Sequence, residues 1–284
     1  MKYRHFLRPA LLTGLLAAIS PAWAAGGAAE DQPAQPGAQL QVALTLYAGG
    51  ISFGKMDLDA SFRGADYHAV SNFQTSGAVS NFWQSEIQAT SSGRIGAKSL
   101  EPGLYDSFDI NRTGKKQEVS LTYENGAPRL YADPVYSTTG YEVKAEDQKR
   151  TMDPLSAITF IVSGVASDGA NPCALTAPVF DGRRLYTIEM TKVKDTDIKM
   201  DNGLYAGKAT QCQIKYHPLA GMKPRVLKSG EDFPVINAWV VRYPSSITGR
   251  SFAVPVRVWA DTKYGQLSVV ANSVKIDGQA PRAN

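Results

Sequence analysis

The chain has 284 residues, 43% hydrophobic and 20% charged, which supplies a sizeable core and excludes a chain too polar to fold. Its formal net charge is +4, but Lys2, Arg4 and Arg8 account for most of that, and without them 27 basic residues face 26 acidic ones. A near-neutral chain of this kind excludes a nucleic-acid binder, which works through dense Lys and Arg contacts to phosphate.

Those three basic residues open an export signal. Leu11 to Ile19 is a short apolar run, and Ala22-Trp23-Ala24 offers the small–x–small cleavage pattern, so residues 1–24 read as a signal peptide. The run is shorter than the roughly 20 apolar residues a bilayer span needs, and an uncleaved anchor is the alternative. Ala25 and not Cys stands directly after the cleavage point, so a lipid anchor is not expected. The mature protein is expected in the periplasm, a monomer without a transmembrane segment. Residues 25–38, rich in Ala, Gly, Pro and Gln, read as a disordered leader. Residues 39–284 hold no internal linker and read as a single β-barrel-like domain, a length that all-β folds reach undivided.

Leu40, Val42, Leu44 and Leu46 alternate with polar or small neighbours, as do Met56, Leu58, Ala60 and Phe62 with Asp57, Asp59, Ser61 and Arg63. That is the period of antiparallel strands with one wet face. Tyr67–Thr75 and Asn81–Thr90 continue the series, and in the latter Phe82 and Trp83 must point to opposite faces. Pro102-Gly103 precedes a strand from Tyr105 to Arg112. Gln117–Tyr123 and Arg129–Tyr131 flank Asn125-Gly126, the strongest short hairpin signal. Pro134 to Lys149 is polar and irregular and reads as a surface connection.

Asp153-Pro154 then starts the single helical stretch, 153–166. Asp is a good N-cap and Pro loses nothing at the first helical position. Leu155, Ile158, Phe160, Ile161 and Val165 give it an apolar surface too broad for a helix lying on water. Beyond it, Pro178–Met190 reads as a turn followed by a strand, and strands follow at Leu204–Tyr216, Phe233–Tyr243, Phe252–Asp261 and Leu267–Ile276. Pro255 marks its strand as an edge or a bulge. Ten to fourteen strands and one helix predict a mainly β fold: a curved antiparallel sheet, an open or spiral β-barrel, wrapped around one α-helix.

Cys173 and Cys212, an even pair in an oxidising compartment, predict a disulfide, whose loop constraint contributes roughly 4 kcal/mol. A metal or redox reading lacks a C-x-x-C, and only His68 and His217 lie outside the signal. His68 falls on a wet strand face and His217 precedes Pro218 in a turn, so neither suggests a Ser–His–Asp set. H-E-x-x-H, G-x-S-x-G and G-x-G-x-x-G are absent. Gly203–Ala209 fails as a phosphate loop and reads as a turn into a strand. Asp195, Asp197 and Asp201 lack calcium-loop spacing and read as a solvated hairpin end. Asn111-Arg112-Thr113 is a glycosylation sequon. Arg183 and Arg184 beside Tyr186 could clamp a carboxylate or phosphate, the alternative being a solvated pair. Trp83, with Arg183, Arg184 and Tyr186, makes up the candidate ligand-binding set. No catalytic residue, metal or cofactor is expected.

Gly50-x-x-Phe53-Gly54, Thr75-Ser-Gly77, Pro102–Tyr105, Asp153-Pro-Leu-Ser-Ala157, Cys173 and Phe180-Asp-Gly-Arg-Arg-Leu-Tyr186 together resemble the bacterial exported proteins grouped as domain of unknown function 3108. The resemblance covers about residues 40 to 220; the segment after about 225 lies outside it. It implies an exported β-sheet protein, similar in fold to the curved sheets of periplasmic lipoprotein carriers or envelope-integrity β-spiral proteins, and it transfers no catalytic residue. The expected function is a non-enzymatic periplasmic protein that supports the cell envelope, with a lipid or lipidated partner held in the sheet's concavity, the alternative being that the helix fills the concavity and no ligand binds. The alternative is an interaction or scaffold module for an envelope protein, working through exposed edges such as the strand with Pro255 and aromatics such as Trp83, Trp239 or Trp259. A hydrolase is the third reading, and no nucleophile–base set supports it.

Overall fold

The computed structural model describes residues 37–81, 83–111, 114–167, 171–224, 227 and 233–281. The signal peptide, nearly all of the leader, Phe82 and two residues of the sequon lie outside the described residues. Alternating apolar side chains build β1 (Ala38–Ala48), β2 (Ile51–Arg63), β3 (Asp66–Thr75), β4 (Ser85–Ile95), β5 (Leu100–Asn111), β6 (Lys116–Glu124) and β7 (Ala127–Asp133). After α1 (Pro154–Val162) come β8 (Leu175–Phe180), β9 (Leu185–Lys199), β10 (Ala206–Ala220), β11 (Ile236–Pro244), β12 (Ser251–Thr262) and β13 (Gly265–Ile276).

All thirteen strands form one antiparallel sheet in the order β7-β6-β5-β4-β3-β2-β1-β13-β12-β11-β10-β9-β8. β1 and β13 pair in its middle, so the sheet is a continuous meander with its two edges at β7 and β8. Its concave face can be followed across the register, because directly paired residues share a face. Leu40 pairs with Ala60, Ala60 with Ala69, Ala69 with Ser91, Ser91 with Tyr105 and Tyr105 with Leu121, and all six are buried. The sheet is curved but not closed. At the seam, a Cβ on Gly182 would lie 2.9 Å from Val119 Cγ1 and 3.0 Å from Leu130 Cδ1, so the β8–β9 turn rests on β6 and β7.

α1 is the helix that Asp153-Pro154 predicts, although shorter than 153–166. Asp153 Oδ1 accepts from Ser156 N at 2.7 Å, and Oδ2 accepts from the hydroxyls of Ser156 and Ser91. Tyr67 on β3 lies 2.7 Å from Ser156 Oγ, and so does Ser91 on β4. These bonds fasten the helix N-terminus to the sheet. The helix stops because Gly164 turns to φ 73°, where a Cβ would fall 2.0 Å from Ser251 O. The buried face is not the purely apolar one expected: Ser156 and Thr159 are enclosed with Leu155, Phe160 and Val162, while Ile158 and Ile161 are only half-buried. Thr159 Oγ1 donates to Leu155 O at 2.8 Å, so its hydroxyl enters the core satisfied. α1 packs against β3, β4 and β5 on one arm of the sheet and β8 and β12 on the other. Cys173 and Cys212 form a disulfide with Cα atoms 5.7 Å apart, tying the exit from α1 to β10.

Several boundaries differ from the sequence expectations. Gly77–Asn81 is a 3-10 turn and β4 begins only at Ser85, so Trp83 is outside any strand and 47% exposed. Pro102-Gly103 lies inside β5, at a bulge opposite Ser92 and Gly93. β8 replaces the expected turn at Pro178; it is an edge strand, where Pro costs no ladder bond, and Met152 pairs with its outer side through Phe180 N and Pro178 O. His217 sits within β10 rather than in a turn, with Nε2 3.0 Å from Glu189 Oε2 on β9. Pro255 marks a bulge and not an edge, since β12 runs between β11 and β13 and the register slips there.

Candidate functional site

The turns sort the sheet into two ends. Gly64-Ala65 and residues 245–250 lie at one; Gly49-Gly50, 181–184 and the β10–β11 connection lie at the other. α1 occupies the first, with its N-terminus on Tyr67 and its C-terminus against Ser251. A cavity of about 710 Å³ remains beside it, bordered by Phe62, Gly64, residues 163–165 and residues 248–251, where the Arg250 guanidinium stacks 4.7 Å over Phe62.

At the opposite end the concave face is left open between β9, β10 and β11. Val179 pairs with Tyr186, Ala177 with Ile188, Ile188 with Tyr216, and Ile214 with Ile236. Val179 and Ala177 are buried in the core, so Tyr186, Ile188, Tyr216 and Ile236 face inward too. They wall a cleft of about 740 Å³, with Met222 and Phe233 from the β10–β11 connection. The rings form a chain: Tyr186 and Tyr216 have centroids 4.8 Å apart, Tyr216 and Phe233 4.9 Å. Burial pushes the hydroxyl pKa of both tyrosines up, as an apolar lining demands.

Cations stand at the mouth. The β8–β9 turn is shaped by Asp181, whose Oδ1 accepts from Arg183 N at 2.9 Å and Arg184 N at 2.6 Å. Its Oδ2 pairs with Arg184 Nε at 2.7 Å. Burial works against the Arg184 charge and Asp181 more than offsets it, leaving that pKa raised. Arg183 is different. Its guanidinium lies 5.8 Å from the Tyr136 ring, and its Nε is enclosed without a hydrogen-bond partner. Lys223 adds a third cation at the rim. Gly221 permits the construction: at φ 78° it crosses so close that a Cβ would fall 2.0 Å from Arg183 O.

The structure thus brings Arg183, Arg184 and Tyr186 to one cleft and places Trp83 outside its lining. Strand period alone puts Ile188 on the Tyr186 face, whereas Tyr216 and Ile236 join them only through long-range pairing and Phe233 comes from the connection before β11. A separate carboxylate–hydroxyl cluster, Asp153 with Ser156, Ser91 and Tyr67, is closed to solvent and serves α1. Burial raises the Asp153 carboxyl to about 6 and Tyr67 to about 12. Among the described residues no group of three His, Cys, Asp or Glu side chains could hold a metal ion, and no helix is long and apolar enough to cross a membrane.

No curated protein matches the chain. The crystal structure of a β-barrel-like protein of the DUF1849 domain from Brucella abortus is similar at 12% identity, covering 85% of this chain and 98% of that one with a TM-score of 0.45. A family match runs over residues 42–272, so it takes in β11, β12 and the first two thirds of β13, beyond the limit near 225 read from the sequence. By that match the chain belongs to the family described as Protein of unknown function (DUF3108).

Proposed function

We propose that this is a non-enzymatic periplasmic protein that supports the cell envelope by holding an amphiphilic ligand, a lipid or the lipid part of a partner, in the open end of its sheet. One observation carries the reading: an aromatic and aliphatic cleft on the concave face meets, at its mouth, an arginine whose guanidinium is paired with no carboxylate among the described residues. Apolar walls with a few placed polar groups are the ordinary composition of a small-molecule site. A guanidinium with no carboxylate of its own at the mouth of an apolar cleft is placed to meet the anionic head of a ligand through its terminal nitrogens. α1 and the disulfide hold the far end of the concavity, so the ligand enters from the Arg183 side. The scaffold alternative loses its Pro255 edge, and Met152 already engages β8.

Native mass spectrometry of protein released from its own envelope without detergent tests this. A bound lipid-sized adduct that is lost when Tyr216 is replaced by Glu is the expected result. A clean apo mass from gently released protein overturns the reading. Fractionation and N-terminal sequencing test the address, with Ala25 expected as the first residue of a periplasmic form.

A further inference from the structure

We infer that the cleft between β9, β10 and β11 is built for a single acyl chain ending in an anionic head, a carboxylate or a phosphate monoester, with Arg183 as the residue that selects the head. The inference rests on the function proposed above and narrows its ligand. Size sets the first limit. At about 30 Å³ per water-sized group, 740 Å³ holds roughly 25 such groups, enough for one chain and its head and about half of what a two-chain phospholipid needs. The inward walls from Tyr186 to Phe233 present rings and aliphatic groups, suited to a chain.

Charge sets the second limit. Three cations stand at the mouth, and the acid beside them, Asp181, is committed to Arg184 and to two backbone N–H groups. The Arg183 guanidinium, stacked on Tyr136, is paired with no carboxylate among the described residues and keeps its terminal nitrogens for an incoming anion.

Titration calorimetry with laurate, dodecyl phosphate, dodecanol and dilauroyl phosphatidate in phosphatidylcholine vesicles separates the possibilities. The expected result is laurate or dodecyl phosphate at least tenfold tighter than dodecanol, and no saturable binding of the two-chain lipid. R183Q should remove that tenfold preference and leave dodecanol unchanged, whereas R184Q should weaken laurate less than threefold because Arg184 is already paired. Should R183Q fail to fold, R183K keeps the charge but not the fork and should still weaken laurate about fivefold. Equal binding of dodecanol and laurate, binding of the two-chain lipid as tight as laurate, or a larger loss in R184Q than in R183Q overturns the inference while leaving a lipid site in place. Failure of all four probes, joined to a clean native mass, removes the proposed function itself.

Discussion

Asp153 is the anchor of α1, and replacing it with Asn separates its two roles, cap and charge. The carboxyl is fully enclosed, and burial raises its pKa from 3.8 to about 6 against the bonds from Ser156 and Ser91 that favour the ion. A folded-state pKa above the unfolded one means that the carboxyl's contribution is complete below about pH 4 and is lost as pH rises through about 6. A shift of roughly two units is worth about 3 kcal/mol. Asn caps a helix as well as Asp, keeps an oxygen for Ser156 N, and has no charge to desolvate. Losing the carboxylate's interaction with the helix N-terminus costs back about 0.3–1 kcal/mol. D153N should therefore match the parent protein near pH 4 and exceed its stability by about 2 kcal/mol at pH 8. Urea unfolding followed by tryptophan fluorescence at both pH values reads this directly. A variant less stable than the parent at pH 8 by more than 1 kcal/mol would show that the ionised carboxylate holds the helix, and the reasoning from burial would be wrong.

Replacing Cys173 and Cys212 together with Ser should lower stability by about 4 kcal/mol, given the 39-residue separation, and the parent's intact mass should lie two hydrogens below its reduced form. Two titratable thiols under denaturing, non-reducing conditions contradict the bond. Tyr123 Oη is buried without a partner, so Y123F should be neutral or about 1 kcal/mol more stable in thermal unfolding; a loss above 1 kcal/mol points to a bonded hydroxyl. G221A forces a Cβ against Arg183 O at positive φ and should cost about 2–3 kcal/mol and weaken laurate binding at the same time. Unchanged binding in a folded G221A protein argues that the crossing does not shape the mouth.

Local chemistry was legible in the sequence; pairing was not. The alternation from Met56 to Phe62 specifies β2 and its buried face, Asn125-Gly126 specifies the β6–β7 hairpin with φ 52° and 74°, and Asp153-Pro154 specifies where α1 begins. β8 escaped because six residues containing Pro178 look like a turn until Met152 and β9 supply partners. Pro255 signalled an irregularity truly, yet a bulge and an edge look alike without neighbours. The site divides the same way. Arg183, Arg184 and Tyr186 are adjacent in the chain and were found together, whereas Tyr216 and Ile236 join them only through the register of β9, β10 and β11. Trp83 stands in the β3–β4 connection, and the strand order puts that connection on the other arm of the sheet from β9, β10 and β11.

In the proposed function α1 occupies one end of the concavity and the ligand enters at the other. A crystal structure of protein isolated with its native lipids tests it most directly. Elongated density over the Tyr186 and Tyr216 rings, with its head within hydrogen-bonding distance of the Arg183 guanidinium, is the predicted result. Ligand density between α1 and β3 or β12, with the Arg183 cleft collapsed or holding only water, would contradict it.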